Sequence, residues 1–360
     1  MAAGVFFWLP FWRPPHASSM SVPSRALLDW FDRARRDLPW RRVRDPYAIW
    51  VSEVMLQQTR VETVVPYFET FMERFPTVDD LAAAPLDDVL ALWSGLGYYR
   101  RARMLHRAAA EIAAGGVFPR TAKELQKLPG IGPYTAAAVA SIAFGEPVPV
   151  LDGNVERVIA RRLALDEPPR GAAAKRTLRR EAGSLLDATR PGDSNQALME
   201  LGALVCRPTD PRCGDCPLSD GCRARRQGDP EAYPRAVAKR AAERQRRVAV
   251  LVEREEKVLL FRRPDDEELL AGIWEVPWVR RDGAGVERRL AKRYGGSWRL
   301  GETLRMVRHG ITYRDLEVEI RRGERRGVAE VRESFEAGWF TREEIDELPT
   351  SSLLKKLLGL

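Results

Sequence analysis

The sequence predicts a two-domain chain, in which an all-helical domain precedes a smaller domain of mixed α-helix and β-strand. Three observations support this fold class. The chain has 360 residues, which is long for one domain, and 44% of them are hydrophobic. Nearly every segment of residues 25–222 has apolar residues at helical spacing. Runs rich in β-branched residues first appear after residue 246.

The composition favours an anionic partner. The chain has 59 Lys and Arg against 51 Asp and Glu, a formal net charge of +8, and nucleic acid is a common partner of such proteins. No apolar run approaches the ~20 residues of a membrane span. The aromatic stretch broken by Pro10 lacks the basic start and cleavage site of a signal peptide. We therefore expect a monomer in the cytoplasm, associated with the nucleoid if the source is bacterial.

The elements follow in chain order. Residues 1–24 are predicted to be a disordered N-terminal extension, and residues 25–222 the helical domain. Residues 223–246 are polar and charged, which is typical of a partly helical interdomain linker. Residues 247–360 form the mixed domain. In it we expect a hairpin from VAVLVEREEKVLLF, strands in GIWEVPWV and LEVEI, and helices in GVERRLAKRYGG and TREEIDELPTSSLLKKLL.

Local signals mark helix boundaries in the first domain. Thr77 with Asp80, and Thr121 with Glu124, match the capping box that begins a helix. Glycines predict helix ends at 115–116 and at 145.

The stretch WVSEVMLQQT places a carboxylate in an apolar helix. Its Trp, Val, Met and Leu residues have the spacing of a buried helix, yet Glu53 lies among them. A buried carboxylate either finds a cationic partner or keeps its proton with a raised pKa. Glu53 is therefore a structural ion-pair residue or an acid retained for chemistry.

The stretch LPGIGPYTAAAVASIAFG predicts a tight turn that leads into a helix. Gly130 and Gly132 flank one apolar residue, and the helix that follows presents free N–H groups that bind a phosphate oxygen well. The preceding TAKELQKL supplies the first helix of a helix–hairpin–helix. A glycine turn without any phosphate site is the alternative.

A second acid, in LDGNVERVIARRL, lies at a predicted helix start. Asp152 suits the N-cap position, where helix amides would lower its pKa. One acid with a raised pKa and one with a lowered pKa is the division of labour that carboxylate pairs use to break glycosidic bonds.

All four cysteines, Cys206, Cys213, Cys216 and Cys222, lie within 17 residues in the spacing C-x6-C-x2-C-x5-C. A chain of this size does not need disulfides, so a metal site in a reducing compartment is indicated. Four thiolates suit structural zinc or a [4Fe–4S] cluster. The presence of only one close pair favours the cluster.

Taken in order, LPWR, SEVMLQQT, GLGYYRRARML, LPGIGPYTA, LDGNVERV and the four-cysteine loop resemble the adenine-DNA glycosylases of the MutY type. These enzymes belong to the helix–hairpin–helix superfamily that includes endonuclease III. The resemblance runs from about residue 37 to residue 222. It implies a [4Fe–4S] cluster rather than zinc, and double-stranded DNA with an A:8-oxoguanine or A:G mispair as partner.

The resemblance also implies roles for the acids. Adenine is a poor anionic leaving group, so Glu53 would protonate the flipped-out base as the N-glycosidic bond breaks. Asp152 would stabilise the cationic sugar, and Asn154 would orient these groups. Tyr134 stands where endonuclease III-like enzymes carry the lysine that forms a Schiff base, which implies a monofunctional enzyme. Tyr134 as a packing residue stays open.

Other positions follow by motif. Trp40 and Arg41 resemble residues that line the adenine pocket. Gln58 and Tyr98 resemble side chains that enter the base stack near the estranged 8-oxoguanine, although each also suits a packing role. A basic group follows this loop and either meets phosphates or forms a solvated face, namely Arg100, Arg101 and Arg103.

The C-terminal domain resembles the Nudix-like domain of the same family. Nudix hydrolases hold Mg²⁺ with a glutamate-rich helix, whereas the corresponding helix here has one glutamate, Glu287. The resemblance therefore implies a lesion reader without hydrolase activity. His309 and Thr312 match its reading loop, and Tyr313 replaces a histidine.

Three other functions remain as alternatives. A bifunctional endonuclease III-like glycosylase and lyase is opposed by Tyr134. A non-catalytic DNA-binding protein gives no reason to keep Glu53 and Asp152. A nucleotide-pool hydrolase is opposed by the single glutamate of the Nudix-like helix.

Overall fold

The computed structural model describes residues 21–169, 171–236, 241–267, 270–283, 285–311, 313–327 and 335–359. The helices are α1 (Val22–Ala34), α2 (Pro46–Met55), α3 (Val61–Arg74), α4 (Val78–Ala83), α5 (Leu86–Leu92), α6 (Arg100–Gly115), α7 (Ala122–Leu125), α8 (Pro133–Phe144), α9 (Gly153–Leu163), α10 (Ala172–Ser184), α11 (Pro191–Leu204), α12 (Arg223–Arg226), α13 (Val286–Tyr294), α14 (Arg342–Glu347) and α15 (Ser352–Leu358). The strands are β1 (Glu243–Leu251), β2 (Glu253–Arg254), β3 (Lys257–Arg262), β4 (Trp274–Glu275), β5 (Trp278–Arg280), β6 (Ser297–Ile311), β7 (Arg314–Arg326) and β8 (Glu336–Phe340). The predicted order, helices followed by a mixed region, is confirmed.

The described residues form two compact units that do not follow chain order. One unit takes the described parts of Met1–Arg36 and Pro147–Arg235, and the other takes those of Asp37–Glu146 and Ala236–Leu360. The domain boundaries predicted from the sequence stay a prediction. Helix α1 begins at Val22, inside the predicted extension, because Ser21 caps it. Strand β1 begins at Glu243, inside the predicted linker.

The first unit is helical. Helix α9 packs against α10, α11 and α12, and α1 packs against α11. Apolar residues of α1 and α11, including Phe31 and Leu198, are fully buried between them. Arg36 donates from both Nε and Nη2 to the carboxylate of Glu200, which is 1% exposed. A bidentate pair of this kind fixes the end of α1 on α11.

The helical part of the second unit is built around α2, which packs against α3, α6 and α8. Every residue of α2 after Pro46 is buried. Helix α8 contributes buried alanines at 136–138 and 140, whose small side chains allow α2 to approach closely. The two predicted capping boxes are confirmed at α4 and α7. The predicted helix ends are also confirmed, with left-handed glycines at Gly116 and Gly145.

Two small sheets form the mixed part of the second unit. The first has the order β5-β1-β7-β6, with β1 and β7 parallel and the other pairs antiparallel. The second joins β2, β4 and β8 to β3, all antiparallel. Apolar residues of both sheets pack with α14 and α15 in one cluster, and with α13 in another. Within the described residues, no helix is long and apolar enough to cross a membrane.

The predicted hairpin in VAVLVEREEKVLLF is only partly right. Its turn exists, since Glu255 and Glu256 both have positive φ and join β2 to β3. The prediction that the first long run pairs with β3 is wrong. Strand β1 pairs instead with β5 and β7, because its apolar side chains complete a different sheet.

Candidate active site

Glu53 lies in the last turn of α2 and is 6% exposed. Asp45 caps this helix by accepting from the N–H groups of Tyr47 and Ala48, and Pro46 occupies its first turn. The hydroxyl of Tyr134 donates to Oε2 of Glu53 at 2.6 Å. The structure therefore brings together two residues that the sequence singled out separately. The predicted raised pKa of Glu53 stays a prediction.

The hairpin positions Tyr134 at the second residue of α8. Gly130 has φ +75°, and a Cβ there would lie 2.4 Å from Cβ of Met104, so this turn requires glycine. Gly132 is the N-cap of α8, and Pro133 begins the helix. The predicted helix–hairpin–helix is therefore present, from α7 to α8. Phosphate binding at Gly130 and Gly132 stays a prediction.

Asp152 is the N-cap of α9, as predicted. Its Oδ1 accepts from the N–H of Val155 at 2.7 Å, and its Oδ2 accepts from Nδ2 of Asn154 at 3.1 Å. The prediction of a lowered pKa is wrong. Burial raises the pKa of Asp152 above its usual value, and the hydrogen bonds from Val155 and Asn154 oppose that shift without cancelling it. The sequence pattern showed the amides but could not show the burial.

Two further residues hold the Asp152 segment, and sequence reasoning missed both. Asn195 in α11 is fully buried, accepts from the N–H of Val150 and donates to the carbonyl of Val148. Gly202 in the same helix leaves no room for a Cβ, which would lie 2.6 Å from Cβ of Asn154. An asparagine inside the apolar pattern of α11 was the available signal.

Arg157 links Asn154 to the cysteine loop. Its Nη2 donates to Oδ1 of Asn154 at 2.9 Å, and its Nε donates to the carbonyl of Cys206 at 2.8 Å. The helix α9 therefore carries Asp152 at its start and, one turn further, a side chain that reaches the first cysteine.

The four cysteines are half-buried and line one cavity of about 30 Å³ in the first unit. Burial, with the neighbouring thiols, raises the pKa of Cys216 to about 12. A bound cation would reverse this shift, since metal-coordinating thiols are deprotonated. Among the described residues, no three His, Cys, Asp or Glu side chains are grouped so as to hold a metal ion.

Arg161 adds a buried cation beside the cysteines. It is 2% exposed, and its guanidinium donates to the carbonyls of Tyr233, Arg207 and Pro208 and to Sγ of Cys206 at 3.4 Å. The four cysteines line one cavity without being grouped as metal ligands, and the buried guanidinium beside them would favour an anionic group such as a cysteine-ligated [4Fe–4S] cluster.

A second cavity, of about 850 Å³, lies within the second unit. It brings together four predicted DNA-contacting residues from separate stretches of the chain: Gln58, Tyr98, Gly130 and His309. The Tyr98 ring is 42% exposed. Gln58 and Tyr98 have φ of +59° and +51°, the left-handed region that residues with a Cβ seldom adopt.

Trp40 and Arg41 lie in a short 3-10 helix, Pro39–Arg41, and neither of them lines this cavity. Trp40 is 6% exposed and packs edge-on against Phe68, with ring centroids 5.3 Å apart. Their predicted place in the adenine pocket stays a prediction.

Two residues of the predicted reading loop, His309 and Ile311, lie at the end of strand β6 rather than in a free loop. His309 lies in β6 opposite Leu316 of β7, and burial together with Lys356 lowers its pKa. Thr312 lies outside the described residues. The Tyr313 ring lies 4.6 Å below the guanidinium of Arg314. Glu287, the single glutamate of α13, accepts from the N–H of Leu300 at 2.9 Å.

The fold and site match two families. Residues 51–182 match the HhH-GPD superfamily of base excision DNA repair proteins, and residues 247–360 match the NUDIX domain. The solved structure of a thermostable thymine-DNA glycosylase is similar at a TM-score of 0.51 and 30% identity, over 57% of this chain and 95% of that one. These similarities define a helix–hairpin–helix repair protein with a C-terminal NUDIX domain.

Comparison with curated relatives shows which family within this superfamily the chain belongs to. The adenine DNA glycosylase of Mycolicibacterium smegmatis is 48% identical over 216 residues, 59% of this chain and 72% of that protein. The adenine DNA glycosylase of Homo sapiens is 40% identical over 310 residues, 71% of this chain and 57% of that protein. The chain belongs to the adenine DNA glycosylase family. It covers 46% of the length of the Arabidopsis thaliana relative and 61% of the rat one, so it spans about half of several relatives.

Proposed function

We propose that this protein is a monofunctional DNA glycosylase that removes adenine mispaired with 8-oxoguanine or guanine. The observation that carries the proposal is the Glu53 carboxyl, 6% exposed in an apolar helix and held by the Tyr134 hydroxyl at 2.6 Å. Membership of the adenine DNA glycosylase family supports the choice of base.

In the proposed reaction, Glu53 is the general acid. Adenine leaves poorly as an anion, so a proton must reach one of its ring nitrogens while the bond from N9 to C1′ of the sugar breaks. An apolar site that disfavours the carboxylate keeps the proton available at neutral pH. The Tyr134 hydroxyl fixes the carboxyl orientation through its bond to Oε2.

Asp152 supports the second half of the proposed reaction. Departure of the base leaves an oxocarbenium-like cation at C1′, which a carboxylate stabilises or captures until water attacks. The amide of Val155 and the Asn154 side chain each hydrogen-bond one oxygen of Asp152, so the ionised form has two fixed donors. Asn195 and Gly202 hold the segment that carries these groups.

We further propose that the enzyme does not cleave the DNA strand. A lyase of this superfamily needs an amine at the hairpin position to form an imine with C1′, and a tyrosine has no amine. Water is then the final nucleophile at C1′, and the product is an abasic site in an intact strand.

The proposed partner is duplex DNA, held by several parts of the chain. The hairpin N–H groups at Gly130 and Gly132 would donate hydrogen bonds to a phosphate oxygen. Gln58 and Tyr98 would enter the base stack, and the C-terminal domain would read the lesion through His309 and Thr312. Cys206, Cys213, Cys216 and Cys222 would hold a [4Fe–4S] cluster within the loop after α11, which Arg157 and Arg161 already link to α9.

Incubation with a duplex that contains one A:8-oxoguanine pair tests the proposal. We expect free adenine, and strand breaks at the adenine position only after alkali treatment. Breaks without alkali, together with covalent trapping by borohydride, would favour the bifunctional alternative. Purified protein should be yellow-brown with about four irons per chain, whereas a colourless protein with one zinc would overturn the cluster proposal.

A further inference from the structure

Two loops of the second unit present Gln58 and Tyr98 to the large cavity in a disfavoured backbone conformation. Both residues have positive φ, at +59° and +51°. Residues with a Cβ hold such a conformation only where the surrounding structure imposes it. Gln58 follows the end of α2, and Tyr98 precedes α6. Contacts with the surrounding structure must therefore hold each of these two chain segments.

Arg101, in the first turn of α6, contacts both segments. Its guanidinium donates hydrogen bonds to each of the two segments. On the Gln58 side, its Nη1 donates to the carbonyls of Val54 at 2.8 Å, Met55 at 2.9 Å and Gln57, and its Nη2 donates to Oγ1 of Thr59 at 3.3 Å. On the Tyr98 side, Nη2 donates to the carbonyls of Leu96 at 3.3 Å and Gly97 at 3.2 Å.

The guanidinium also lies against the aromatic ring that it helps to place. Its central carbon is 5.3 Å from the ring centroid of Tyr98 and 5.5 Å from that of Trp93, within the range of cation–π attraction. Burial lowers the pKa of Arg101 to about 10, so the group is still a cation at neutral pH.

The acceptors of Arg101 explain why a cation is used here. Two of them are the carbonyls of Val54 and Met55 at the C-terminal end of α2, where the helix dipole concentrates negative charge, and the carbonyl of Gln57 follows just beyond the helix. Within the part of the chain that the structure describes, none of its hydrogen-bond acceptors is a carboxylate or lies in open solvent. The sequence left open whether Arg101 meets a phosphate or lies on a solvated face, and in the structure both of its terminal nitrogens donate to the two loops.

We propose that Arg101 is a positioning residue, which holds the Gln58 and Tyr98 loops at a fixed separation so that both side chains enter the duplex at one base step. The inference rests on the proposed function, since it assigns Gln58 and Tyr98 to the DNA. Arg101 itself touches neither base nor sugar. It acts through the two loops, and through the end of the helix that carries Glu53.

The geometry requires a planar fork. A lysine ammonium carries the same charge on one nitrogen, with three donors, and cannot span acceptors on two separate segments. Arg101→Lys should therefore behave more like Arg101→Met than like the wild type.

The test uses the full-length protein and a duplex with one A:8-oxoguanine pair, in which 2-aminopurine lies beside the 8-oxoguanine. Its fluorescence reports local unstacking when the protein binds. We expect Arg101→Met to lose most of the fluorescence change and about 10²-fold of the single-turnover excision rate, the size expected from an ångström-scale misplacement. Arg101→Lys should lose a similar share of both.

Two control variants on the same helix separate positioning from loss of stability. Arg107→Met removes an exposed arginine that forms an ion pair with Glu111, so both readouts should match the wild type. Ile112→Ala opens a cavity under the same helix and should lower Tm without changing the fluorescence response.

A double-mutant cycle adds a readout that a purely structural role would not move. If Arg101 acts through Tyr98, the losses from Arg101→Lys and Tyr98→Ala will be less than multiplicative when combined. The pair Ile112→Ala and Tyr98→Ala should multiply.

The outcomes distinguish this inference from the proposed function. A wild-type protein that excises no adenine would overturn the proposed function. Wild-type excision together with an unchanged fluorescence response in Arg101→Lys and Arg101→Met would overturn the inference alone. Multiplicative losses in the Arg101 and Tyr98 cycle would also overturn it, and would return Arg101 to a role in stability.

Discussion

Glu53 and Asp152 are both largely withdrawn from water, yet their surroundings differ in kind. Glu53 lies among apolar side chains at the end of α2, and a tyrosine hydroxyl donates to one of its oxygens. Asp152 lies at the start of α9, and an amide N–H and an asparagine amide each donate to one oxygen. Burial alone therefore does not assign a carboxyl its role. The donors around it decide how well the charged form is supported.

The comparison predicts that replacing either acid by its amide impairs excision, but for a different reason in each case. In the proposed mechanism, Glu53 must give up a proton, and Asp152 must carry a charge. The predictions that follow run from the largest expected effect to the smallest.

Glu53→Gln should abolish most excision, since an amide of the same shape cannot donate the required proton. Loss of a general acid typically costs ~10²–10⁴ in rate, and the single-turnover rate on an A:8-oxoguanine duplex measures it. Binding of the mispaired duplex should persist. Glu62→Gln, an exposed glutamate at the start of α3, is the control. Excision within threefold of wild type would return Glu53 to a structural role.

Asp152→Asn should reduce the rate by ~10²–10³, the usual cost of losing one electrostatic contact to a developing charge. The neutral amide keeps the N-cap position but no longer stabilises the sugar cation. Burial raises the pKa of Asp152 in the folded state, so ionisation of this carboxyl lowers the free energy of unfolding at pH values above its ordinary pKa. The variant should therefore show this loss of excision rate without a lower Tm at pH 7. A clear drop in Tm would instead make Asp152 mainly a cap.

Tyr134→Phe should sharpen the comparison by removing the donor that orients Glu53. A hydrogen bond to a neutral group contributes ~0.5–1.5 kcal/mol, up to about tenfold in rate. We expect a loss of this size in single-turnover excision with adenine still the base removed. Tyr47→Phe also removes a buried hydroxyl, one that donates to the carbonyl of Phe75, and serves as the control away from Glu53. Equal losses in both variants would show that the Tyr134 effect is general loosening.

His309→Ala should have the smallest effect and should act on selectivity. His309 lines the large cavity, and its lowered pKa keeps the imidazole neutral at pH 7, where it can still donate or accept a hydrogen bond. We expect a decrease of up to about tenfold in the rate ratio of A:8-oxoguanine to A:G. A uniform loss on both substrates would leave His309 with general DNA affinity only.

Most of the helical architecture was predictable because its determinants are local. The capping boxes at Thr77 and Thr121, the glycine helix ends and the N-cap at Asp152 each depend on a few adjacent residues. The tight turn at Gly130 was also visible. The strand pairing was not predictable. Strand β1 pairs with β5 and β7, which lie further along the chain than β3, and its packing decides between these partners.

The sequence by itself determined the helices and the tight turn of the hairpin, because short-range sterics and hydrogen bonding set these features. The tertiary structure decided what surrounds each charge. The raised pKa of Asp152 comes from burial, and Asn195 supports that loop from another helix. Arg101 was expected to meet a phosphate or to lie on a solvated face, and its guanidinium bridges two loops instead. Desolvation depends on everything that packs around a group, which no pattern of neighbouring residues contains.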